Sequence, residues 1–140
     1  MVKFEAIALP DVRKSWGWIR NGLMAVIERC PSTWIPEDVW TEVMARRAFV
    51  YALQHDGDEV GFAVLQPRSD GDGTVLFVWA LWVEPGALHA QARRDEVHGE
   101  LLRLAREIGV RRGRMEWNRG GGEGVAFWTP VMTIYEHEVT

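Results

Sequence analysis

The stretch TVLFVWALWV, residues 74–83, is apolar at nine of its ten positions. It is too short to cross a membrane, which takes about 20 apolar residues in a helix. It is rich in the β-branched and aromatic residues that favour strands. A strand with one wet face alternates apolar and polar residues, and this one does not alternate. Both of its faces must therefore be covered, so it belongs at the centre of a sheet with another layer on each side. The chain must then supply flanking strands and helices for both faces.

Flanking strands are present upstream. AFVYALQH and EVGFAVLQP are separated by DGD, a hairpin signal, and SDGDG makes the next turn. Ahead of them, Asp11 is a helix-cap candidate, and Trp16, Ile19, Leu23, Val26, Ile27 and Cys30 recur at helical spacing. This predicts an amphipathic helix over about 12–29, stopped by Pro31. Pro36, with Glu37 and Asp38 behind it, suits the first turn of a second helix. Trp40, Val43 and Met44 form its stripe, and it ends near Arg47.

After the apolar strand, Gly86 breaks the pattern. Val97, Leu101, Leu104, Ala105 and Ile108 then mark a helix over about 91–108, ended by Gly109. RRGRMEW reads as a further strand, NRGGGEG as a loop and PVMTIYEHEV as a last strand. The order is helix, helix, three strands, helix, strand, loop, strand. The helix between the third and fourth of these strands is a crossover, which makes the strand after it parallel to its neighbour. The expected class is α/β, a mixed and mostly antiparallel central sheet with helices on both faces. At 140 residues the chain suits a single domain over 1–140.

The totals narrow the function. Net charge is −4, so the chain as a whole has no electrostatic footprint for nucleic acid. Arg111, Arg112, Arg114 and Arg119 do form a local basic strip around Trp117, a mixture able to hold a single strand by charge and stacking. A nucleic-acid-binding or nucleic-acid-modifying domain is thus the weakest of three functional classes kept here. The basic residues are fourteen Arg and only Lys3 and Lys14 as lysines. Arg is the better bidentate partner of phosphate and carboxylate. Cys30 is the only cysteine, so there is no disulfide within the chain. MVKFEAIALPD is too short and acidic for a signal peptide. A cytoplasmic protein without membrane contact is expected. His55, His89, His98 and His137 have no metal-ligand spacing, and SDGDGT lacks the calcium-loop pattern. GGGEG, residues 120–124, precedes strand-like VAFW and so lacks the context of a dinucleotide loop.

The order of elements, the V-x-P at Val83, Glu84 and Pro85, and MEWN followed by an aromatic pair and a final strand resemble the GNAT superfamily of N-acetyltransferases. Gly113, Arg114 and Trp117, just after the long helix, also resemble a GNAT-like group found in phage genomes. The resemblance runs from about Asp11 to Val139. It implies that the central strand splays from its parallel neighbour and that acetyl-CoA lies in the gap. Leu81, Trp82 and Val83 would offer backbone to the pantetheine arm. Gly86, His89, Gln91, Arg93, Arg94 and Asn118 are the remaining candidate cofactor contacts, with the segment 86–94 receiving the pyrophosphate. Glu84, or a water it holds, would take the proton from an acceptor amine of unknown identity.

The family pattern at this helix start is Gln or Arg, two residues, Gly, one residue, then Gly or Ala. Aligned on Gln91, this chain puts Arg94 and Glu96 at the small positions. Aligned from Pro85, it puts Leu88, Gln91 and Arg93 there. An Arg can hold phosphate through its fork. The resemblance also implies a Tyr in the helix after the fifth strand, to protonate the leaving thiolate. No Tyr occurs between Asn118 and Trp128, and Tyr135 lies in the last strand. A GNAT-fold binding or assembly protein without catalysis is therefore the second class. Trp16, Trp18, Trp34 and Trp128 are candidates for its interface, a homodimer among the arrangements considered.

Overall fold

The computed structural model describes residues 2–29, 31–69, 74–88, 91–109, 112–117 and 133–138. Ten elements follow one another: β1 (Val2–Ala6), α1 (Leu9–Lys14), α2 (Trp16–Arg29), α3 (Pro36–Met44), β2 (Phe49–His55), β3 (Asp58–Ser69), β4 (Thr74–Val83), α4 (Gln91–Ile108), β5 (Arg112–Trp117) and β6 (Thr133–Glu138). The strands form one sheet in the order of the chain. Every neighbouring pair is antiparallel except β4 and β5, which are parallel. The expected α/β class, mixed sheet and crossover all hold.

The apolar strand is central, as its composition requires. On one face of the sheet, α4 brings Val97, Leu101, Leu104 and Ala105 against Phe4, Leu53, Leu65, Leu76 and Val78. On the other, α1, α2 and α3 bring Val12, Ile19, Leu23, Val39 and Val43 against Val50, Phe62, Val64 and Ala80. Burying two such layers supplies the main stabilisation, at about 25 cal/mol for each square ångström of apolar surface removed from water.

Four local expectations are corrected. The chain starts with a strand, β1, which the helix-first reading left out. Its alternation is short, with Val2 and Phe4 buried and Lys3 and Glu5 exposed. The helix expected over about 12–29 is two helices, parted at Ser15. Its N-cap is Ala8 rather than Asp11, which lies within the first turn. Pro10 explains the earlier start, because a residue with fixed φ and no N–H sits well where helical N–H groups have no partner. In α4 the stripe ends before Ile108, which is 40% exposed. In α3 the buried side is Pro36, Val39 and the expected Val43, while Trp40 and Met44 are half-buried. That helix ends at Met44, ahead of Arg46, which takes a left-handed φ of 61°. Cys30 lies outside the described residues.

Turn chemistry follows the sequence closely. Asp56 and Gly57 both have positive φ, 51° and 89°, as a two-residue hairpin demands. Gly109, with φ 88°, ends α4 and donates its N–H to the carbonyls of Ala105 and Arg106.

Candidate functional site

The sheet opens at one place. β4 and β5 pair at Val75↔Arg112, Leu76↔Gly113, Phe77↔Arg114 and Val78↔Met115. Among the described residues the pairing stops there. β5 runs on to Trp117 beside β6, with Glu116↔Ile134 and Trp117↔Thr133. β4 runs on to Val83 beside β3, with Phe62↔Trp82 and Gly61↔Val83. The two parallel strands therefore part beyond Val78 and Met115. The β5-facing backbone amides and carbonyls of residues 79–83 border the wedge between them. Buried backbone groups need partners, so an open parallel edge inside a sheet is a place for a ligand that can hydrogen-bond along it.

An irregularity in β4 sits at the apex of this wedge. Val64 pairs with Ala80 and Leu65 with Val78, which leaves Trp79 as an extra residue. Such a bulge bends the strand and re-aims side chains. Leu76 and Val78 pack against the α4 layer. Trp79 and Ala80 both pack against the α1–α3 layer. Beyond the bulge, Leu81 and Val83 return to the α4 side while Trp82 faces the helices opposite.

The tip of β4 is anchored from below. The Trp82 ring meets Trp18 edge-on at 5.8 Å and Phe62 at 5.6 Å. Gly22 of α2 lies against the same rings, and a Cβ there would come 3.0 Å from the Trp82 indole. Gly61 lies so close to the Trp82 carbonyl and the Val83 backbone that any side chain would collide with them. At Gly61 the approach requires glycine, and it lets the tip of β4 lie close against β3.

The strand-to-helix handover is a turn. The Glu84 carbonyl accepts the Ala87 N–H at 3.0 Å, and the Glu84 N–H donates to the Val60 carbonyl at 2.7 Å. Pro85 takes the second position and Gly86 the third with φ 81°, the arrangement of a type II turn. Ala87 and Leu88 settle on the α4-side core. The carboxylate-bearing residue Glu84 is exposed at the mouth of the wedge.

Helix α4 begins at Gln91, and its first turn contains Arg93 and Arg94 and no acidic residue. Asp95 and Glu96 follow in exposed positions. A helix start offers N–H groups without partners and the positive end of the helix dipole. The structure thus brings Leu81, Trp82, Val83, Glu84, Gly86, Gln91, Arg93 and Arg94 to the same end of the sheet. His89 and Asn118 lie outside the described residues, as does the glycine-rich segment. Tyr135 takes the register position beside Met115 in β6. The basic strip is divided: Arg112 and Arg114 are strand residues of β5, while Arg111 and Arg119 lie outside the described residues.

Reasoning from sequence missed the two glycines and the bulge. The tripeptide E-V-G at the start of β3 held the one available signal, an isolated glycine within a strand pattern.

Comparison with solved structures identifies the fold. A probable acetyltransferase superposes with a TM-score of 0.61 at 15% identity, over 85% of this chain and 81% of that one. A GNAT family acetyltransferase from Elizabethkingia anophelis, with acetyl-CoA bound, gives 0.56 at 10% identity, over 86% and 67%. The IAA acetyltransferase of Bacillus cereus gives 0.54 at 17%, over 86% and 69%. The chain has the GNAT fold. No protein-family model matches the sequence, and no curated protein matches it. No described helix is long and apolar enough to cross a membrane.

The residues present fit an acyl-CoA. The wedge offers a line of backbone donors and acceptors to an amide-bearing arm. The first turn of α4 offers N–H groups that lack partners within the helix.

Proposed function

We propose that the protein binds an acyl-CoA in the wedge between β4 and β5 and transfers the acyl group to an amine. The observation that carries this reading is the parting of β4 and β5 after Val78↔Met115. Residues 81–83 hydrogen-bond the pantetheine arm as a further strand would. The segment 86–94 receives the pyrophosphate: Gly86 turns the chain, Gln91 opens the helix, and Arg93 and Arg94 neutralise charge.

Bound acyl-CoA supplies an activated thioester. The protein's own task is to orient the incoming amine and accept its proton. Glu84 stands at the mouth of the wedge and takes that proton, directly or through a water. The amine nitrogen bonds to the thioester carbon, the carbon–sulfur bond breaks, and the thiolate is protonated from solvent, because no tyrosine stands between Asn118 and Trp128. Net charge −4 favours a neutral or cationic acceptor over an anionic one.

The arginines and acids at the start of α4 favour a second reading, a GNAT-fold protein that binds without catalysing. One measurement tests the ligand that the two readings share, and a second separates them. Acetyl-CoA and CoA raise the melting temperature under both if the second protein keeps its ligand. Thiol release with a panel of amines occurs only under the first. No stabilisation by millimolar acetyl-CoA overturns ligand binding in the wedge altogether.

A further inference from the structure

The wedge narrows to an apex, and the apex is built in an unusual way. The last β4–β5 pair is Val78↔Met115, and the next residue of β4 is the bulged Trp79. On the α4 face the apex is closed by Val78, which is 5% exposed and packed in the core with Leu101 and Leu104. On the opposite face it is closed by Trp79. The bulge turns the Trp79 ring toward the helical layer, where it meets Trp34 edge-on at 5.8 Å with 73° between the planes. Trp34 comes from the short connection between α2 and α3, just before Pro36. Both indoles are half-buried, so they stand at the boundary between core and solvent.

This placement rests on the reading of the wedge as an acyl-CoA site. With the pyrophosphate at α4 and the pantetheine arm along residues 81–83, the acyl group points toward Trp79 and Ala80. Ala80, beside it, is 3% exposed and packed in the core of the helical layer. A longer chain has to pass the apex. The α4 face denies it a path, because that face is packed core. The other face is shut by the largest side chain available, held in place by a second indole. We infer that Trp79, braced by Trp34, limits the acyl donor to short chains such as acetyl and propionyl.

The test measures the affinity of the intact protein for CoA, acetyl-CoA and hexanoyl-CoA by titration, with melting curves as a check on folding. The wild-type protein binds CoA and acetyl-CoA similarly and binds hexanoyl-CoA more weakly by about tenfold, the scale set by a few methylenes that do not fit. Trp79→Ala removes that discrimination, raising hexanoyl-CoA affinity by about tenfold while leaving CoA affinity within a factor of about three. Trp79→Leu does the same in part and serves if the alanine variant does not fold. Trp34→Ala, which removes the brace alone, gives an intermediate gain. Equal wild-type affinity for acetyl-CoA and hexanoyl-CoA overturns the inference. So does an unchanged ratio in the Trp79 variants. If CoA binds normally in either case, the acyl-CoA reading survives and only the chain-length gate falls. If CoA itself does not bind, both fall together.

Discussion

Two glycines decide the position of the site more than any charged residue does. Gly61 sits under the Trp82 carbonyl, where backbone blocks a Cβ, and backbone does not yield cheaply. Gly61→Ala is expected to destabilise the fold by about 2 kcal/mol, within the range of overpacking, measured by urea unfolding. Its CoA affinity falls as well, since the tip of β4 must shift. Gly22→Ala meets ring atoms of Phe62 and Trp82 instead, one of them at 2.7 Å. Rings can move further than backbone, so the cost is nearer about 1 kcal/mol. At this scale the sequence was readable for side chains and mute for their absence. Glu84, Arg93 and Arg94 announce themselves by chemistry. A glycine announces only freedom, and whether it marks a turn, as Gly57 does, or a close approach, as Gly61 does, depends on partners far along the chain.

Elements with a strong local signature were legible to the residue. Helix α4 occupies Gln91–Ile108, matching its apolar period and its terminal glycine. Gly109 has φ 88°, and Gly109→Ala is expected to cost about 1 kcal/mol of stability, the strain of a left-handed alanine. Thermal unfolding measures it. β4 was equally plain in extent, yet its bulge was invisible. A strand apolar at nearly every position reads the same whether its side chains alternate regularly or skip at Trp79. The pattern that revealed the strand is the one that concealed its defect. β1 failed for the opposite reason: five residues with two buried positions make a signal too short to notice. The division of the first helix at Ser15 also follows tertiary packing rather than period, since Val12 and Ile19 reach the same core from two different helices.

At the scale of the molecule, the candidate site joins parts that no window of sequence contains. The strand tip, the helix start and the split from β5 meet only because α4 crosses from β4 to β5. The general topology was therefore legible, while the wedge was not. Arg93→Ala combined with Arg94→Ala is expected to weaken CoA binding by at least about tenfold without lowering the melting temperature of the free protein, as loss of charge-assisted contacts predicts. Dephospho-CoA in the same titration separates the pyrophosphate from the terminal phosphate.

Helix α4 also reaches the far edge of the sheet. Glu100 accepts the Phe4 N–H at 3.0 Å, and Arg103 bonds Glu100 at 2.9 Å and the Phe4 carbonyl at 3.4 Å. Burial pushes the Glu100 carboxyl up. The Arg103 hydrogen bond, the Phe4 N–H and the charges of Arg103 and Lys3 outweigh it, so the group lies below its usual 4.5. A depressed carboxyl stabilises the fold fully above the unfolded value and loses that contribution as pH falls through the folded one. Melting temperature should drop as pH falls below the usual carboxyl value of 4.5, and Glu100→Gln should make that drop shallower.

The same clamp sets an order of events. An uncovered edge strand is a template for stray pairing, and the side chains that cover β1 lie 96 residues further along the chain. During synthesis Val2–Ala6 emerges long before the helix that shields it. A nascent chain halted before Glu100 would present that edge bare to chaperones or to other nascent chains.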